Sequence, residues 1–289
     1  MSTQNRLGAL TSLLLLGMIL SLIVPLTGYE VSVIVLGSEM SLRLTPAAQF
    51  GIVLVALVAS AVDGIVRVRR LGLSPAGARP PLFWSAMFWP LPAAVALSGM
   101  VLTHFFSWWG YQVGMAAITA AATAMVIVVQ GQDHEALEQA AAQDAPPNVV
   151  RVGAIALWLQ LMTYAAAAVL LVGLYGTRTR SLLSASGVLL VTAGLTLERL
   201  RGIDAPLRRI WLYAALVGLI MGQLTWALNY HALPGRVGGG LLLLTFYVLS
   251  GLVREHLLHG LKRFVLVEYL LVCAGGLLIL VGYVRWLGG

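Results

Sequence analysis

A chain of 289 residues that is 60% hydrophobic and only 10% charged, with a mean hydropathy of +0.91, has too little polar surface for a water-soluble globule and is read as an integral membrane protein. Its net charge of +7 is carried at the ends of apolar segments, so it reports membrane topology and excludes a nucleic-acid-binding reading. The single cysteine, Cys273, excludes an internal disulfide, and the single lysine, Lys262, stands at a segment end, which leaves no mid-membrane amine for a Schiff-base chromophore.

In chain order, Leu7 to Thr27 is apolar enough to cross a bilayer and is followed by no small-residue cleavage motif, so it is kept as span one. From Tyr29 to Thr45 the pattern changes to strand periodicity, with Met40, Leu42 and Leu44 alternating with Ser41, Arg43 and Thr45. This predicts a β-hairpin over residues 29–45 around Gly37-Ser38-Glu39. Span two runs from Pro46 to Val66. Span three runs from Phe83 to Phe106, with an interfacial aromatic start and a kink near Pro90 or Pro92. Span four covers Gly110 to Gln130.

A polar, acidic loop over residues 131–148 follows, with Asp133 to Asp144 read as a solvated helix face. Spans five to nine are Val152–Tyr175, Ser181–Leu197, Trp211–Tyr230, Val237–Val253 and Phe264–Trp286. The fold class expected is therefore an all-α polytopic bundle of nine transmembrane helices, one domain over residues 1–289, with an extracytoplasmic hairpin between spans one and two.

Nine spans place the termini on opposite sides. With the N-terminus inside, Arg6, Arg67, Arg69, Arg70, Arg79, Arg151, Arg199, Arg201, Arg208, Arg209, Arg254, Lys262 and Arg263 fall inside, and Arg43, Arg178, Arg180, Arg236 and Arg285 outside. Thirteen against five fits the positive-inside rule, and puts the hairpin outside and the acidic loop in the cytoplasm of a bacterial cell.

Candidate site residues lie on two polar rows. In span five, Gln160, Thr163 and Tyr164 share one helix face. In span seven, Thr225 and Asn229 follow Gly222, while Gln223, Trp226 and Tyr230 form the adjacent row. Facing each other, they would line a ligand seam; otherwise they bond helix to helix. Ala214, Gly218 and Gly222, four apart, admit a close helix neighbour. His104 and His231 stand at the outer rim as titratable groups. Asp63 and Glu268 are ionisable groups within spans, and Glu268, about one turn inside span nine, is expected to pair with an arginine at a neighbouring helix end. Arg254, His256, His259, Lys262 and Arg263 form a basic inner loop suited to anionic lipid.

No metal or cofactor set is expected. Asp63-Gly64 with Arg67 is similar to the start of the CDP-alcohol phosphotransferase motif, but Ser60 stands where that motif has another aspartate. His134-Glu135 has Glu138 where a zincin helix needs its second histidine.

Two stretches, LGSEMSLRLTPAAQ with AVDGIVR and GQLTWALNYHALPGRVGGGLLLLTFYVLSGL, resemble an uncharacterised family of bacterial multi-span proteins, a resemblance that implies no assigned activity. The reading that follows is a non-catalytic subunit or accessory factor. Its outward hairpin and small-residue helices hold partner proteins, a second copy or lipid. Alternatives are a small transporter with its site between spans five and seven, or a lipid-modifying enzyme using Glu268, Asp63 or the His256 and His259 pair.

Overall fold

The computed structural model describes residues 3–23, 29–35, 38–44, 46–73, 85–103, 105, 107–142, 153–176, 181–203, 205–231, 233–258, 260 and 263–288. Its helices are α1 (Thr3–Ile23), α2 (Pro46–Leu73), α3 (Pro90–Thr103), α4 (Trp109–Ala142), α5 (Ala154–Gly176), α6 (Ser181–Leu200), α7 (Leu207–Asn229), α8 (Gly235–Leu258) and α9 (Arg263–Gly288). With the 3-10 turn Ala86–Phe88 counted together with α3, nine helices among the described residues are long and apolar enough to cross a membrane. Between α1 and α2, β1 (Tyr29–Val35) pairs antiparallel with β2 (Ser38–Leu44), in a register running from Tyr29 opposite Leu44 to Val35 opposite Ser38. Ser38 and Glu39, expected in a turn, are strand residues, and Gly37 lies outside the described residues.

Contacts near the helix termini show that the helices alternate in direction. At one end Arg6 Nη1 of α1 donates to the Gly64 carbonyl of α2 (3.1 Å), and Arg199 Nη1 of α6 donates to Ser250 Oγ of α8 (3.0 Å). At the other, the Tyr111 hydroxyl of α4 donates to the Leu102 carbonyl of α3 (3.2 Å). Asn229 Nδ2 of α7 donates there to Ser184 Oγ of α6 (2.9 Å), and the Tyr175 hydroxyl of α5 donates to the Leu228 carbonyl of α7 (3.1 Å). The first of these ends, which carries Arg6, Arg199, Arg201 and Arg254, is called the basic end below.

α3 is the centre of the bundle. Proline is well placed at the first helical position, where its missing N–H is no loss, and Pro90 opens α3 directly after the 3-10 turn. One side of α3 (Leu91, Ala94, Val95) joins an apolar cluster with α5 to α8. Another (Ala93, Ala96, Met100) joins a second cluster with α1, α2 and α4.

The α6–α7 pair makes the most extensive contact between helices. A Cβ on Gly218 would stand 2.7 Å from the Leu189 carbonyl oxygen and 2.8 Å from Ala193 Cβ, and one on Gly222 3.2 Å from the Ala185 carbonyl oxygen. The small-residue row of α7 thus lies on α6, and the short turn through Gly202, at φ 79°, folds one helix back on the other.

In the polar stretch expected over residues 131–148 the helical part is present, but as a continuation of α4 and without the solvated face expected at Asp133. Gly131 to Ala142 continue α4 as one 34-residue helix, and residues 143–150 lie outside the described residues. The extension is explained by Asp133, which is buried against α6 rather than on a solvated face.

Gly218→Leu is expected to lower the unfolding midpoint of the detergent-solubilised protein, by about 1–3 kcal/mol of stability, because the side chain must push two backbones apart. Gly114→Leu, at a site with open space around it, should leave the midpoint unchanged in the same thermal scan.

Candidate functional site

The helix that carries charge into the bundle is α6, which ends in Glu198-Arg199-Leu200-Arg201. Residues two apart point to nearly opposite sides of a helix, while residues three apart share a side. Arg199 and Arg201 therefore enter two different environments, and Glu198 accompanies Arg201.

The Arg201 side is a closed knot. Arg201 Nη2 lies 3.0 Å from Asp133 Oδ2 and 3.0 Å from Glu198 Oε1, and its Nη1 donates to the Gln130 carbonyl at 3.2 Å. Gln130 Nε2 donates in turn to Glu198 Oε2 at 2.7 Å. The side chains of Arg201, Asp133 and Glu198 are only 6%, 8% and 4% exposed, so these charges are out of water and held by one another. The guanidinium carbon stacks 4.8 Å from the Phe88 ring centre, and His134 meets the same ring edge-on at 5.6 Å. Gln130 Oε1 and Arg201 Nε are buried without a hydrogen-bond partner. The knot joins α4 and α6 to the 3-10 turn that precedes α3.

The Arg199 side is differently built. Its guanidinium stacks 4.8 Å from the ring centre of Tyr164 on α5 and donates from Nη1 to Ser250 Oγ on α8. Tyr164 leads into a chain of rings, 5.3 Å to Tyr247 on α8 and then 5.8 Å to Tyr269 on α9, with Phe246 at 6.2 Å. Gly251 of α8 has no side chain because the Tyr269 ring and hydroxyl occupy that space. Among the described residues no carboxylate lies within ion-pair distance of Arg199. The acidic group of the neighbourhood is Glu255, 3.7 Å from Arg254. A half-buried cation held by an aromatic face and one hydroxyl keeps donor capacity for an anion.

The two polar rows expected to face each other are parted. Gln160, Gln223, Trp226 and Tyr230 are exposed on the outer surface of the helices, and Trp226 and Tyr230 pack edge to face at 5.7 Å. Thr163 and Thr225 are buried, and each donates to the carbonyl one turn back on its own helix, Leu159 and Met221. Asn229 is spent on Ser184, and the Tyr164 hydroxyl is buried with no hydrogen-bond partner. Of the expected set, only Tyr164 belongs to the Arg199 cluster.

His231 is exposed, with Nδ1 3.3 Å from the Ala227 carbonyl oxygen, while His104 and His259 lie outside the described residues. Asp63 is half-buried on α2, next to the Gly64 carbonyl that receives Arg6. Glu268 is exposed on α9 and shows no ion pair among the described residues, in place of the expected arginine partner. His256 packs edge-on against Tyr213 at 5.8 Å.

Sequence reasoning passed over Gln130, Arg199, Arg201, Tyr247, Ser250 and Tyr269. Two signals could have found them. The alternation of charge in the last turn of an apolar span is one. The other is the spacing of Tyr247, Ser250 and Arg254, three and four apart, on a single face of α8.

Nine helices among the described residues with the length and apolarity of membrane spans, packed around buried charge, give the chain the character of a multi-pass α-helical membrane protein. The chain belongs to the DUF5656 family, proteins of unknown function, whose family model matches residues 26–283 and so takes in both stretches on which the resemblance rests. No curated protein and no solved structure matches it.

Removing one member of the Arg201 knot strands the others. Arg201→Met is expected to destabilise the protein by about 3–5 kcal/mol, whereas replacing Asp133, Glu198 and Arg201 together by apolar residues should recover much of that loss. Denaturation midpoints of the two variants in one detergent check this. Equal losses would show that packing, not stranded charge, dominates.

Proposed function

We propose that this protein is a subunit or accessory factor of a bacterial cytoplasmic membrane, with its N-terminus and basic end in the cytoplasm, and that it associates laterally through α9. The observation that carries this reading is the state of α9. No residue of its spanning stretch is buried, and it packs on α8 through Gly240 against Leu280, Gly251 against Tyr269, and Gly276 against Leu244. Its outer side carries Phe264, Leu271 and Leu278, at 81%, 65% and 73% exposure, and on that same outer surface stands Glu268. A carboxylate within a membrane span almost always pairs or faces an interior, so its place on the outside of the bundle favours an arriving partner helix with a basic group at that depth. The excess of basic residues at one end supports the orientation. On this orientation the two-stranded β1–β2 ribbon faces outward and offers partners a second surface.

The test is mild-detergent purification of the full chain from its native membrane, with native mass spectrometry of what accompanies it. Glu268→Leu is expected to reduce the amount of the associated complex severalfold while leaving the monomer folded. Deletion of residues 33–42 should separate ribbon-borne from α9-borne association. Association unchanged in both variants would remove the reading.

A further inference from the structure

The Arg199 cluster lies at a depth that can be measured on three helices. At about 1.5 Å per residue, Arg199 is about 1.5 Å from the end of α6, Arg254 about 6 Å from the end of α8, and Tyr269 about 9 Å from the start of α9. The group therefore lies just under the bundle's basic end, where the hydrocarbon core gives way to headgroups.

Its donors converge from separate elements. Arg199 comes from α6, Arg254 from α8, one turn beyond the Ser250 hydroxyl that accepts from Arg199 and donates its own hydrogen to the Phe246 carbonyl (2.6 Å), and the phenol of Tyr269 from α9. Residues four apart share a helix side, so Arg254 projects beside Ser250 toward Arg199. Arg254 is 32% exposed, which leaves its charge reachable from the membrane surface. Among the described residues two arginines stand here against the carboxylate of Glu255, one positive charge in excess. Glu268, the next residue to Tyr269, is turned outward, about 100° around α9.

A guanidinium half-buried among apolar helices still loses much of its hydration, and the ordinary solution in this chain is visible two residues away, where Arg201 is bonded to two carboxylates. Arg199 has instead a ring face and a hydroxyl. The complement it lacks is an anion with several acceptor oxygens, and a phosphate offers oxygens that match the planar fork of arginine. We infer that Arg199 and Arg254, with the hydroxyl of Tyr269, form a specific binding site for a phosphate group between α6, α8 and α9. The site is distinct from general attraction of lipid to exposed basic loops, because its first ligand, Arg199, is half-buried and fixed by contacts to two other helices. It does not depend on a protein partner at α9. The phosphate arrives either on a phospholipid headgroup or on a soluble phosphate ester, and the two sources share the same recognition chemistry.

The experiment uses the full chain in detergent, delipidated and titrated separately with dioleoyl phosphatidylglycerol and with inorganic phosphate, with binding read by native mass spectrometry. The expected result is one phosphatidylglycerol per chain, with affinity at least roughly tenfold lower in Arg199→Gln and in Arg254→Gln, each of which removes a charge-assisted bond. Arg208→Gln, at an exposed position on α7 of the same end, should bind as the unaltered protein does. Binding of inorganic phosphate with the same arginine dependence, and without phosphatidylglycerol binding, would support the site with a soluble source. If Arg199→Gln does not fold, Arg254→Gln and Tyr269→Phe decide. Phosphatidylglycerol bound equally by these variants and the unaltered chain, or neither probe bound by the unaltered chain, would overturn the inference.

Discussion

The bonding of Arg201 to Asp133, Glu198 and the Gln130 carbonyl is the constraint on which the basic end of the bundle depends. In an apolar interior a charge must be matched where it stands, and matching this one requires α4 to run on past Gln130 so that Asp133 reaches α6. The same requirement draws Phe88 over the guanidinium and so sets where the 3-10 turn hands over to α3. Because Arg199 is only two residues away on α6, fixing Arg201 toward α4 turns Arg199 toward α5 and α8.

Elsewhere the helices are held by close approach. Gly218 and Gly222 bring α7 onto the α6 backbone, and Gly238 and Gly239 of α8 receive Tyr175 and Val172 of α5. Polar side chains add single bonds at the opposite end, from Asn229 to Ser184 and from Tyr175 to the Leu228 carbonyl. Against this pattern α9 stands apart, joined to the bundle along one side and otherwise bare. The molecule therefore combines a tight centre around α3, a charged end in which one arginine is paired with two carboxylates and the other with none among the described residues, and one helix with most of its surface open.

Several of these features were legible in the sequence for physical reasons that act within one helix. Apolar length located the membrane-crossing segments, since about 20 residues are needed whatever they pack against. The four-residue spacing of Ala214, Gly218 and Gly222 announced a close neighbour for α7. The neighbour's identity was not announced, and it is α6 rather than α5. Gln160 and Gln223 illustrate the same limit. Each shares a helix face with other polar residues, yet both faces turn outward, because shared faces follow from helix period alone while their direction follows from packing.

What the sequence determined by itself is the class of the molecule, the number and rough extent of its apolar helices, and which residues share a side of each helix, because length, composition and a period of 3.6 residues are properties of a single segment. Only the tertiary structure decided that Asp133 is an interior anion, that Arg199 and Arg201 enter unlike surroundings, and that Glu268 lies on the outside. Those outcomes depend on which charges from distant segments meet in a medium too apolar to leave them unmatched. That meeting is set by how the helices pack together, not by any one of them.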